Sequence, residues 1–214
     1  MVDHASQLAA IGEAARQRLE EKHRARERAL HLSREIIRHS ANSIRAIHRN
    51  ETEEAISMMQ ATGKLVAETQ TLLADGHADL YHTGYVQDAH KEYAEARTTY
   101  ALITDSPLPS PDDLAVEVPA YLNGLGEAVG ELRRYLLDSL RRDDVSRCEE
   151  LMSKMDDAYN VLVTMDFPEA VTGGLRRTTD AVRGIMERTR ADLTTAVRQR
   201  RLEQRLADLE GKGE

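Results

Sequence analysis

The sequence has no tryptophan, one phenylalanine, one cysteine and five prolines in 214 residues. Each scarcity excludes something. A lone cysteine, Cys148, permits no internal disulfide and no cysteine-based zinc site. Aromatic residues make up only 4% of the chain, and the clusters of Val, Ile, Tyr and Phe that mark strands are nearly absent, so no sheet is expected. Aromatics are also too few to support an argument from base stacking. There is no apolar run of about 18 residues, so no segment should span a membrane. Residues 1–30 are too charged to resemble a signal peptide, and the expected compartment is the cytoplasm. His-Glu-x-x-His, a Gly-rich phosphate loop and Gly-x-Ser-x-Gly are all missing. So is a Glu-x-x-His motif with a partner copy, which a di-iron bundle would need. Lysine is scarce as well: Lys22, Lys64, Lys91, Lys154 and Lys212 account for five of the 29 basic residues. The rest are arginines, whose planar forks suit phosphate. The net charge of −8 provides no overall basic field, so any polyanion site must be a local patch.

What is present favours helices. The chain is 41% hydrophobic and 31% charged, and Ala, Leu, Arg and Glu, which are good helix formers, dominate. Residues 5–49 read as one long helix, polar at its start, with Ile36, Ile37, Ser40, Ile44 and Ile47 at helical spacing further on. A second helix is expected from Thr52 to the Asp75-Gly76 stop. A third should run over 77–104, with Ala89, Tyr93, Ala96, Tyr100 and Ile103 on its apolar face. The strongest break is Ser106-Pro-Leu-Pro-Ser-Pro-Asp-Asp113. It makes residues 105–117 a loop between two halves of one bundle, within a single domain covering 1–214. Val118-Pro119 opens the next helix, with Tyr121, Leu125, Ala128, Leu132 and Leu136 as its stripe. Asp143 or Asp144 should cap a helix striped by Cys148, Leu151, Met155, Ala158 and Leu162. Asp166-Phe-Pro-Glu169 has the form of a helix start, and Gly173-Gly174 should bend or interrupt the chain beyond it. A last, net-basic helix covers about 175–209. The expectation is an all-α chain of about seven helices.

Chemistry could reside in several places. Asp88, Glu92, Glu95 and Thr99 share one stripe of the third helix, and carboxylates at i and i+3 can reach one cation. Magnesium keeps several waters, so two or three protein carboxylates suffice. The pattern is common, however, and a solvated helix face is its default reading. In Asp156-Asp157 neither acid sits at the centre of its helix's stripe, and an exposed acidic turn is the default there too. Glu127 and Glu131 lie one turn apart beside Gly126 and Gly130, small residues that let another helix approach. Glu131 could then be a buried acid beside a metal site or simply a surface acid. Basic residues crowd the first helix, and Lys22, Arg24, Arg28, Arg34, Arg38 and Arg45 are candidate contacts to a nucleic-acid backbone. A solvated surface laced with i,i+4 pairs is the alternative.

Several segments together resemble a known family. Glu27-Arg-Ala-Leu-His-Leu-Ser-Arg-Glu-Ile, followed by Ser40 and Ile47-His-Arg49, is similar to the first helix of translin-associated factor X. Lys91-Glu-Tyr-Ala-Glu-Ala96 resembles that family's Gln-Glu-Tyr-Val-Glu-Ala motif. Val118-Pro-Ala-Tyr-Leu-Asn-Gly-Leu through Gly130-Glu-Leu, then Met155-Asp-Asp-Ala-Tyr-Asn-Val-Leu and Leu175-Arg-Arg, come in the family's order. The match covers most of residues 20–200. The resemblance implies a seven-helix translin-type protomer in a hollow homo-oligomer, with an octamer as the candidate size. It implies a magnesium-dependent endoribonuclease, with manganese as the alternative ion, acting on single-stranded RNA, with DNA as the alternative ligand. It assigns the catalytic and metal-binding roles to Glu92, Glu95 and Asp157. Translin itself shares the fold, lacks those acids and mainly binds nucleic acid. The alternatives are therefore a non-catalytic RNA- or DNA-binding shell and a helical scaffold. The 105–117 connection is shorter than in animal relatives.

Overall fold

A computed structural model describes residues 2–74 and 76–210. Among them the chain forms nine helices and no strand: α1 (His4–His48), α2 (Thr52–Ala74), α3 (Ala78–Tyr81), α4 (Gly84–Thr104), α5 (Pro111–Leu114), α6 (Val118–Arg141), α7 (Cys148–Val163), α8 (Glu169–Thr172) and α9 (Leu175–Glu210). Three of these are single turns, so six long helices carry the architecture. None of the helices is long and apolar enough to cross a membrane.

The helix ends follow local chemistry. Asp3 caps α1 by accepting from the Ser6 amide at 3.2 Å. The Ser-Pro-Asp-Asp segment folds α5 through a reciprocal capping box between Ser110 and Asp113. The helix expected over 77–104 is broken at His82-Thr83. Thr83 is extended there, its hydroxyl donates to the Leu80 carbonyl, and the Gln87 side chain donates to the Tyr81 carbonyl. These side chains replace the backbone bonds the break removes. Asp143 and Asp144 do not cap the next helix: α7 begins at Cys148, and Asp144 is spent on the amide and hydroxyl of Ser146. Asp166 likewise falls outside α8, whose cap is Pro168. Gly173 and Gly174 interrupt the chain as expected, with φ of 59° and 90°, a left-handed bend that separates α8 from α9.

Packing makes α4 the central helix. It lies between α1, which is backed by α2, and α6, which packs in turn on α7 and α9. The main core draws on both sides of the 105–117 connection, including Ile36, Ile47, Met59 and Tyr93 before it and Leu125, Leu132, Leu151, Leu162 and Val182 after it. The stripes expected on α6 and α7 are buried throughout. On α1, Ile36, Ser40, Ile44 and Ile47 are buried, while Ile37 faces solvent. Residues 2–21 are all exposed, leaving Leu8, Ile11 and Leu19 in solvent, and the far end of α9 similarly exposes Leu202, Leu206 and Leu209.

At Gly124 the backbones of α4 and α6 come close together. A Cβ at Gly124 would lie 2.6 Å from the Lys91 carbonyl oxygen and 2.9 Å from both the Glu95 amide nitrogen and the Ala94 Cβ. Two of those three atoms are backbone, so only glycine lets the helices meet at this distance. Gly124→Ala should therefore cost about 2 kcal/mol of unfolding free energy, as overpacking of a fitted interior does. Urea denaturation measures it, and an unchanged midpoint would show that the two helices can separate freely.

Candidate metal centre

The residues that face each other across this crossing follow from helix geometry. On α6, Gly124, Glu127 and Glu131 lie three and four residues apart and so share one face. On α4, Lys91 and Glu95 flank the touching backbone, with Glu92 beside them. Glu92, Glu95 and Glu127 each place a carboxylate oxygen so that all three lie within 4.8 Å of one another. Glu95 is only 9% exposed, and Glu92 and Glu127 are half-buried. Among the described residues no group donates a hydrogen bond to the Glu95 carboxylate, whereas Glu127 receives both of its bonds from the Lys91 ammonium at 2.6 Å. The same ammonium stands 3.5 Å from Glu92.

Burial is the main force on Glu95. Together with the charges of Glu127, Glu92 and Glu131, and against the opposing pull of Lys91, it pushes the carboxyl up to about 8. Burial also raises Glu92, where attraction to Lys91 opposes it and Glu127 and Asp88 add to it. Glu131, one turn beyond Glu127, is held below the usual carboxylate range by its hydrogen bond from His48. Arg134 lies 3.6 Å away. The orienting partner of Glu131 thus comes from the end of α1.

Three oxygen donors, one of them buried and without a partner, fit a hard divalent cation, which needs few protein ligands and keeps its remaining waters. A cleft of about 680 Å³ opens beside the cluster between α4, α6 and the α8–α9 bend; Lys91, Glu127, Asn123 and Arg177 are among its lining residues.

The structure joins Glu92 and Glu95 as the helical spacing suggested, but their third partner is Glu127. Asp157 lies on the exposed side of α7, outside the carboxylate group. The reason is packing: α7 presents Cys148, Leu151, Met155, Ala158 and Leu162 to the core and packs chiefly on α6 and α9, with little contact to α4. The sequence signal for Glu127 was the glycine-rich stretch around it. The glycine that admits α4 is Gly124, however, while Gly126 faces Thr178 and Val182 of α9. His90, two residues before Glu92, is fully buried with its ring against Tyr81 and belongs to no ligand set. Burial pushes it down to about 4, so it is neutral at pH 7.

The basic candidates divide into two groups. Lys22 pairs with Asp79, Arg28 with Glu68 and Arg38 with Glu35, and Arg45 donates to Asn42. Arg24 and Arg34 are exposed and make no ion pair among the described residues.

A testable consequence concerns the metal-free protein. The folded-state pKa of Glu95 is raised, so folding holds a proton that the unfolded chain releases above about 4.5. The associated stability is complete below that pH and is lost as pH rises towards about 8. In EDTA, the wild type should lose stability across this window relative to Glu95→Gln by a few kcal/mol, at about 1.4 kcal/mol for each pH unit in which only the folded form keeps the proton. Denaturant midpoints of the two proteins from pH 5 to 8.5 check this, and parallel curves would refute it.

No protein-family model matches the chain. An uncharacterised protein of Methanocaldococcus jannaschii is 30% identical over 190 residues, which span 88% of this chain and 83% of that one. Among solved structures, AfC3PO in complex with duplex RNA superposes with a TM-score of 0.79 at 34% identity, covering 88% of this chain and 97% of that one. The crystal structure of AfC3PO alone gives 0.79 at 33%, with the same coverage. NeC3PO without ligand gives 0.73 at 20% identity, covering 92% and 98%, and at that identity it speaks for the fold alone. With an all-helical fold shared over nearly the whole length of AfC3PO at a third of its residues identical, the chain belongs to the translin (C3PO) family.

Proposed function

We propose that this chain binds RNA and hydrolyses it with a divalent cation, Mg²⁺ or Mn²⁺, held by Glu92, Glu95 and Glu127. The observation that carries this reading is the convergence of three carboxylates, one of them buried and unpartnered among the described residues, beside a cleft that Glu127 and Lys91 line. Within the family this favours the side of translin-associated factor X over that of translin, as the Lys91–Ala96 motif suggested. Bound there, the cation would lower the pKa of a water and offset charge developing on the phosphate. The remaining work falls to the chain. Glu92, Glu95 and Glu127 position the ion, His48 orients Glu131 beside them, and the cleft has room for the substrate backbone. Of the six first-helix candidates, Arg24 and Arg34 are unpaired among the described residues and available to grip phosphate, and Arg177 in the cleft is a further candidate.

A hollow homo-oligomer, with an octamer as the candidate size, accords with the leucines that both long helices leave exposed. A cytoplasmic setting, where the lone buried thiol stays reduced, completes the reading. AfC3PO has been captured on duplex RNA, so duplex belongs in the assay beside the single strands expected from the sequence.

The expected outcome is cleavage of short RNA in Mg²⁺ or Mn²⁺ that EDTA abolishes. Glu95→Gln or Glu127→Gln should reduce it at least about 100-fold, and Asp157→Asn should leave it within about twofold. Cleavage that persists in Glu95→Gln would refute the assignment. Salt-sensitive RNA binding without cleavage would instead make this a non-catalytic member of the family. Native mass measurement checks the assembly, and a monomer would contradict the oligomer.

A further inference from the structure

Lys91 stands between the two acidic helices, and its position is fixed by the backbone. Its carbonyl is the atom that Gly124 allows α6 to approach, so its backbone lies at the crossing. From there its stem reaches Glu127, one helical turn along α6. The ammonium donates to both Glu127 oxygens at 2.6 Å and lies 3.5 Å from Glu92. The side chain keeps about a fifth of its surface exposed. Among the described residues no other cation forms an ion pair with Glu92, Glu95 or Glu127, while Glu131 is separately matched by His48 and Arg134.

Charge and space point the same way. In the ion-bound site, three carboxylates and one ammonium present two negative charges, which one divalent ion neutralises and a second would overshoot. Paired catalytic metals sit about 3.5–4 Å apart and share a bridging carboxylate. Glu127 is the acid on α6 that faces Glu92 and Glu95 on α4, and both of its oxygens already hold Lys91. Glu95, nine-tenths buried and with no hydrogen-bond donor to its carboxylate among the described residues, is the side of the cluster left open to a metal.

We propose that Lys91 is the site's built-in second cation. The protomer takes a single divalent ion on the Glu95 side, and the Lys91 ammonium fills the position a second ion would occupy, facing the cleft where a substrate phosphodiester would lie. This rests on the reading of the cluster as a divalent-cation site. The test is a titration of the full-length protein with Mn²⁺ alone, followed by calorimetry and by the electron paramagnetic resonance of free Mn²⁺. The wild type should bind one ion per protomer, Lys91→Gln should bind two, and Lys91→Arg, which keeps the charge, should return to one. Circular dichroism confirms that each variant is folded. Two ions in the wild type, or one in Lys91→Gln, would overturn the role of Lys91 and leave the metal site standing. A wild type that binds no Mn²⁺ would overturn both.

Discussion

The close approach of α4 and α6 at Gly124 is the constraint on which the rest of the site depends. It brings the backbone of Lys91 and Glu95 against α6 and sets Glu127 opposite Glu92 and Glu95. Without that contact the acids would belong to two separate solvated faces, each with room to avoid the other. With it, a crowd of like charges is built into the interior, and its energetics shape the surroundings. Lys91 offsets part of the repulsion, His48 ties down Glu131, and Glu95 remains as the buried acid that no donor among the described residues satisfies. Such an arrangement is poor for stability in the absence of a cation and well suited to binding one.

The frame that holds this arrangement is ordinary helical packing. A central α4 flanked by α1 and α6 allows residues distant in sequence to meet: His48 closes α1, Glu92 and Glu95 lie mid-α4, and Glu127 and Glu131 lie mid-α6. The core that drives this assembly spans both halves of the chain. The site therefore cannot form in either half alone, since α4 and α6 lie on opposite sides of the 105–117 connection.

The first helix shows how neighbouring elements and nearby turns engage surface charge that the sequence displays as a run. Its basic residues were candidate phosphate contacts, with a solvated, ion-paired surface as the alternative; Lys22 and Arg28 are engaged by Asp79 and Glu68 from neighbouring elements, and Arg38 and Arg45 by residues on α1 itself. Exposed pairs of this kind contribute little stability. They do lower the local positive field, which leaves fewer arginines to meet a polyanion.

By itself the sequence determined the helical class, the helix registers and the pairing of Glu92 with Glu95. These depend on periodicity and on residues a turn apart, which any helix brings together. The apolar stripes of α6 and α7 were legible for the same reason, and so was the Gly173-Gly174 bend, because a left-handed backbone calls for glycine. Some helix ends were not legible, since side chains such as Thr83, Gln87 and Asp144 chose among several nearby backbone partners. Only the tertiary structure decided that the third carboxylate is Glu127 on α6 and that Asp157 stands apart on α7. Periodicity places a residue on a face of its own helix. Which helix that face meets is set by close packing, and here by a glycine that has no side chain to keep two backbones apart.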